Sequence, residues 1–304
     1  MKKNIFFFIA IAITVAACQR EISDEINQNK RLTKINEFHK TTRNEQQSFT
    51  VNTATATVVT TTKGTKVLLP VNGFVYEDGK PVKGNINVSV KEIFTPMEMI
   101  LNDMPTVAGN RLLESGGEFK VSVFQNSRPL KLAPGNFIKI GIPDIGRDLQ
   151  GMQVFNGAVD ANGNVNWNAN ANPGNVVVGD STLFSKADLF ADDINWLNCD
   201  KFINDPTVTF TVYPGNAPSG DSTNVFVHLT GKNTVVKMNW TQGLNYFKSN
   251  MLLAVPSTIV GISVKNGQFF CSVIPVNVQN GEFVTLNFTP YTEQELKTKL
   301  AQLR

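Results

Sequence analysis

Three acids and an indole share the short stretch "ADDINWLNCD" over positions 191–200: Asp192, Asp193, Asp200 and Trp196. Carboxyls this close in sequence invite a glycosidase reading. That chemistry needs two of them across a cleft, one kept protonated by a raised pKa, and an exposed indole could stack on the sugar ring. The alternative is structural. Residues 181–206 then form a junction between two domains, the aromatic side chains packed at the interface and the acids turned to water, with Asp192 and Asp193 opening a short helical turn.

Other nucleophile chemistries are short of a base. The sequence holds two histidines, His39 in a polar N-terminal segment and His228 on the Phe226 face of an expected strand, where it is partly exposed. A cysteine or serine nucleophile needs a base beside it, no G-x-S-x-G is present, and no histidine cluster or C-x-x-C pair offers zinc ligands. Cys199 and Cys271 could form a disulfide in an oxidising compartment; closing roughly seventy residues would stabilise by on the order of 4 kcal/mol. Against that, Cys271 sits in the apolar strand "QFFCSVI", where a lone buried thiol is common.

Asp160, Asn162 and Asn164 match the first, third and fifth positions of a calcium loop. The sixth, which requires glycine, is Val165, and the twelfth is Ala171 in place of a bidentate glutamate, so turn chemistry at Asn162-Gly163 explains the residues without an ion. Met97 and Met99, between Pro96 and Pro105, suit gap-filling under a loop better than a soft-metal site. No metal and no cofactor is expected.

The elements that would position these residues begin after a targeting segment. Lys2 and Lys3 precede an apolar run from Ile5 to Val15, too short to span a bilayer, and Ala16-Ala17-Cys18 follows in the order of a lipobox. Residues 1–17 are therefore expected to be removed and Cys18 acylated, giving a stable membrane tether through several chains. Cleavage discards two of the 28 basic residues and none of the 25 acidic ones, so the side-chain charge falls from +3 to about +1. With no basic stripe carrying interleaved aromatics, nucleic acid is not an expected partner.

Residues 18–47 are polar and read as a flexible tether, although Leu32, Ile35 and Phe38 are spaced for a short helix. From residue 48 the apolar period becomes two. Ile86, Val88 and Val90 alternate, Asp78-Gly79 and Asn126-Ser127 mark turns, and "MQVFNGAVDANGNVNWNANA" outlines a hairpin whose Asn-rich continuation, Trp167 included, reads as a solvated loop. After Pro206 the alternation resumes, punctuated at Gly231, Asn266-Gly267 and Asn280-Gly281. The final stretch is helical, with Thr292 and Glu295 spaced as a capping box and Leu296, Leu300 and Leu303 on one face. The pattern predicts an all-β protein of two β-sandwich-like domains, 48–190 and 191–304, the second closed by a short C-terminal helix.

"KGTKVLLPVNGFVYEDGKPVKGNINVSVKEI", followed by "SGGEFKVSVF" and "FIKIGIP", resembles the ZU5 type of β-sandwich domain as it occurs in lipoproteins of Bacteroidota. Gly116-Gly117 with Phe119 matches the double glycine that opens a strand in that family, whereas Val71-Asn72-Gly73-Phe74 departs from its usual turn. With "MQVFNG", "VNW" and "WLNCDKF" the likeness covers roughly residues 48–204. It implies a binding or scaffold module. The self-cleaving His-Phe-Ser segment found beside some members has no counterpart, since neither histidine precedes Phe-Ser. The expectation is a monomeric, non-enzymatic protein, lipid-anchored at the outer membrane on its periplasmic or cell-surface face, that holds an envelope protein or glycan. A surface glycan hydrolase using the acids near 192–200 is the alternative.

Overall fold

The computed structural model describes residues 35–43, 45–160, 164–169, 176–179, 186–191, 194–218, 222–241 and 243–303. The targeting segment, Cys18 and most of the expected tether lie outside them. Among the described residues strands dominate, with helices at 35–43 (α1), Pro96–Asn102 (α2) and Glu293–Leu300 (α3). No described helix is long and apolar enough to cross a membrane.

The main path of the largest sheet runs Gln47–Asn52, Asn85–Ile93, Arg111–Gln125, Trp196–Phe202, Gln153–Val159, Val165–Ala169, every neighbour antiparallel. Alternation sets its faces. Ile86, Val88, Val90, Phe119, Val121 and Val123 point one way, into a core completed by Val67, Leu69, Ile138, Ile140, Ile142 and Leu189 of a second sheet. That sheet is ordered Val176–Val178, Ala187–Ala191, Ile138–Ile142, Lys66–Leu69, Thr57–Thr60. Asn126 and Ser127 adopt φ of 49° and 63°, the left-handed pair of a tight hairpin turn, as the sequence signalled.

The C-terminal part supplies two more sheets. One orders Asn239–Thr241, Tyr246–Leu253, Thr207–Tyr213 and Phe283–Thr285, the last pair parallel; the other orders Val235–Lys237, Thr223–Leu229, Pro256–Lys265, Gln268–Asn277 and Thr289–Tyr291. Val225, Val227, Leu229 and Ile259 face Phe210, Val212 and Leu252 in a core between them. The alternate residues Phe226, Val260, Ile262 and Cys271 turn the other way. There they join Ile93, Leu113, Phe155 and Trp196 of the largest sheet, together with Met99, Ile100 and Met104 and the helix residues Ile35, Leu296 and Leu300, in a central core.

Two expectations about organisation need correction. The boundary at 190/191 cuts through paired structure, because Trp196–Phe202 lies between Arg111–Gln125 and Gln153–Val159 in the largest sheet; the third sheet begins only at Thr207. Nor do the two parts divide cleanly. Asn233 donates through Nδ2 to the carbonyls of Phe94 (3.1 Å) and Ser115 (2.7 Å), Ser115 N–H donates to the Asn233 carbonyl (3.0 Å), and Thr234 Oγ1 donates to the Leu113 carbonyl (2.9 Å). These bonds are buried, so each replaces water that the polar groups could not otherwise keep.

The tether reading of 18–47 fails over its last part. Helix α1 docks with Ile35, His39, Thr42 and Arg43 buried, the i, i+3/i+4, i+7 stripe of an amphipathic helix. Phe38 meets the Phe269 ring edge-on at 4.8 Å. The Lys91 ammonium donates to the Thr42 carbonyl and to that of Glu45 (3.1 Å), placing a cation at the negative end of the helix dipole; burial pulls Lys91 down to about 8.

The methionine-rich stretch is helical in part. Thr95 caps α2 with Glu98 in a complete capping box and Pro96 in the first turn, and Met99 and Met104 are fully buried as packing residues. Helix α3 forms as expected, Thr292 and Glu295 capping each other and Leu296 and Leu300 entering the central core.

Candidate functional site

The residues singled out near 192–200 do not assemble a surface cleft. Asp192 and Asp193 lie outside the described residues. Trp196, a stacking platform in the glycosidase reading and a packed interface residue in the structural one, is 3% exposed, as the structural reading has it, with one face toward Lys120 (Nζ 5.7 Å from the ring). Its burial follows from Gly157 opposite: a Cβ there would stand 2.6 Å from the Trp196 Cβ, so the bare glycine backbone lets the indole lie down on the sheet.

Asp200 is fully buried, beside an acid the sequence reading did not single out. Across the pairing of Arg111–Gln125 with Trp196–Phe202, Asn198 opposes Glu118 while Asp200 opposes Ser115. The extra residue is absorbed at Gly116-Gly117, where Gly117 takes φ +138° and a Cβ on Gly116 would lie 2.4 Å from the Met152 sulfur. This bulge turns both Ser115 and Glu118 to the face that carries Asn198 and Asp200. Ser115 Oγ donates to Asn198 Oδ1 (3.2 Å), and Asn198 Nδ2 donates to Asp200 Oδ2 (2.5 Å). Both oxygens of Glu118, Oδ1 of Asp200 and Oδ1 of Asn233 find no donor.

Burial drives Glu118 well above the usual carboxylate range, and the neighbouring Asp200 adds to it. Burial raises Asp200 as well, against the hydrogen bond from Asn198. A carboxyl with a raised pKa beside a second one resembles half of an acid–base pair. Both are enclosed, however, and neither lines the two cavities described next.

Cys199 and Cys271 are both buried and free, Cys199 in the first core with Sγ 3.9 Å from the Met152 sulfur and Cys271 in the central core. The permitted disulfide is thus not formed. Burial pushes the Cys271 thiol up to about 12 and Cys199 higher, so neither is a nucleophile at neutral pH. His228, expected to be partly exposed, is 1% exposed and its Nε2 bonds to the Lys232 carbonyl at 3.2 Å; burial lowers its pKa. Trp167, expected in a solvated loop, is buried in a strand and donates to the Pro105 carbonyl at 3.1 Å. Asp160 spends its carboxylate on the Asn164 amides (2.8 and 2.9 Å), the turn role expected of it. Among the described residues no group of three or more His, Cys, Asp or Glu is placed to hold a metal ion.

Where the two parts of the chain meet at the surface, they leave a cavity of about 600 Å³. Ile35 and Asn36 of α1, the segment Asp103 to Gly109, Asn164 to Asn166, Asn224, and Lys237 to Trp240 form its walls. Asp103 ends α2 in the left-handed conformation (φ 53°), which directs its chain away from the helix and its carboxylate to Lys237 (2.8 Å). Burial alone would raise Asp103, but Lys237, His39 and Arg43 outweigh it and hold the carboxyl below its ordinary value.

His39 is 0% exposed behind this wall. Its Nδ1 lies 2.9 Å from the Leu101 carbonyl and its Nε2 lies 3.0 Å from the Asn224 amide nitrogen. One tautomer satisfies both: Nδ1–H donates to Leu101, and Nε2 accepts from Asn224. Burial lowers the ring to about 4, so it is neutral at physiological pH. A second cavity, about 390 Å³, lies by the end of α1 and is lined by Thr42, Lys63, Lys91, Glu98 and Lys297 among others.

No protein-family model matches the chain, and no curated protein sequence matches it.

Proposed function

We propose that this chain is a lipid-anchored binding or scaffold module of the cell envelope, fastened to the outer membrane through Cys18. Its two β-sandwich-like halves, the first of ZU5 type, hold a partner, either an envelope protein or a glycan. The observation that carries the reading is the cavity at the junction, whose walls come from α1, from the largest sheet and from both C-terminal sheets. A site built on paired strands and braced by buried hydrogen bonds is preorganised, which is what binding without chemistry requires. The lipobox order at Ala16-Ala17-Cys18 supports the anchor.

The glycan-hydrolase alternative has less support, because Trp196 is buried and Asp200 sits in an enclosed cluster. The test has two parts. Intact-mass measurement of protein purified from its native host should show a chain beginning at Cys18 and carrying acyl groups; an unmodified cysteine would remove the anchor. Purified envelope proteins and glycans should bind the full chain and lose affinity when Trp240→Ala alters the cavity wall; no binding to either class would leave the module reading without foundation.

A further inference from the structure

We infer that the junction cavity is a binding site for a neutral oligosaccharide. The inference rests on the binding-module reading above and narrows its ligand class. It starts from charge. Among the described residues Asp103 and Lys237 are the two ionisable ones on the cavity wall, and they face each other at 2.8 Å with the Asp103 side chain 2% exposed. Their fields cancel over a distance short compared with the cavity, so an ion gains little there.

The hydrogen-bonding groups are of another kind. Asn36, Asn166 and Asn239 line the cavity, are exposed, and make no side-chain hydrogen bond among the described residues. A carboxamide both donates and accepts, and so does a sugar hydroxyl; three of them arrayed on α1 and two strands match a ligand with many hydroxyls in fixed relative positions.

The apolar component completes the match. Trp240 lines the cavity half-buried and is braced against Phe247, ring centroids 4.8 Å apart and planes at 54°. An indole held in this way offers a flat apolar surface to the C–H face of a pyranose at little entropic cost. A cavity of about 600 Å³ falls within the range of small-ligand sites and has room for more than one sugar ring. Peptides would also use carboxamides, but they bring backbone in extended form and gain most from a long free strand edge; the edge strand Asn239–Thr241 is three residues long.

The experiment uses the full mature chain in a glycan array that carries neutral, uronic-acid and sulfated oligosaccharides, followed by calorimetric titration of the array hits. Saturable binding to neutral members is expected. Trp240→Ala should weaken it at least tenfold, Trp240→Phe should retain part of it, and Asn166→Ala and Asn239→Ala should each weaken it severalfold, with circular dichroism and melting temperature reporting that the variants fold. Absence of binding across the neutral members overturns the inference, as do preference for the charged sugars or affinity indifferent to Trp240 and both asparagines. If no neutral sugar binds yet a purified envelope protein does, and Trp240→Ala abolishes it, the saccharide class is wrong and the binding module stands; loss of both overturns the two together.

Discussion

Acidification should destabilise this protein through one buried imidazole. In the unfolded chain His39 titrates at 6.5, whereas in the folded chain burial lowers it to about 4, with Asp103 pulling it up and Lys237 and Arg43 pushing it down. Between those values the unfolded state holds a proton that the folded state refuses. Stability contributed by neutral His39 is thus complete above pH 6.5 and is lost as the pH falls toward 4. The gap of about 2.5 pH units corresponds to about 3.4 kcal/mol, lost at up to roughly 1.4 kcal/mol per pH unit. A charged ring would also forfeit the acceptor role of Nε2 toward Asn224, so α1 and the cavity wall it forms are where loosening should begin. Urea denaturation of the wild type and of His39→Asn at several pH values between 4 and 7.5 isolates this residue. Asparagine can donate to the Leu101 carbonyl and does not titrate. Glu118 and Asp200 titrate in the opposite sense in both proteins and cancel in the difference. The variant should be less stable at pH 7.5, and the gap to wild type should shrink by about 3 kcal/mol on going to pH 4. A gap independent of pH would refute the reasoning.

Glu118, whose folded pKa is raised, lowers stability as the pH climbs above its unfolded value of 4.5. Glu118→Gln should therefore gain on the wild type at pH 8 relative to pH 5, read from the same denaturation curves; equal pH dependence would show the carboxyl to be ionised in place. Removing residues 292–304 strips Leu296 and Leu300 from the central core and should lower the melting temperature by several degrees. An unchanged melt would mean that α3 is not packed. Cys199 and Cys271 should resist alkylation in the native protein and react fully in urea, while reductant leaves the melt where it was, because the thiols are buried and free.

Much of the strand content was legible because alternation survives wherever one face is covered more heavily than the other. Ile86, Val88 and Val90 show it, as do the tight turns at Asn126-Ser127 and Asn266-Gly267. Helix α3 was legible from its capping box. The failures share one physical origin, which is that the largest sheet and the sheet containing Pro256–Lys265 are covered on both faces. On such strands polar positions such as Glu118 and His228 look outward by periodicity yet are sealed by a second layer, and nothing local announces the layer. Trp167 was misjudged for the same reason. Helix α2 did carry a signal, Thr95-Pro96 with Glu98 three residues past the cap. So did α1, whose buried positions 35, 39 and 42 follow helical spacing inside an otherwise polar segment.

Asn224 meets His39 across 185 positions of chain, and Thr106 meets Val235 across 129. Ribosomes deliver the N-terminal end first, so Ile93, Phe155 and Trp167 wait uncovered until the strands that will roof them have been made. Such distant pairings assemble slowly, and the nascent chain offers adhesive surface in the interval. Folding of this protein is thus a race between its own late-arriving half and any other greasy molecule nearby, and a holding chaperone in the compartment where it matures would decide the winner.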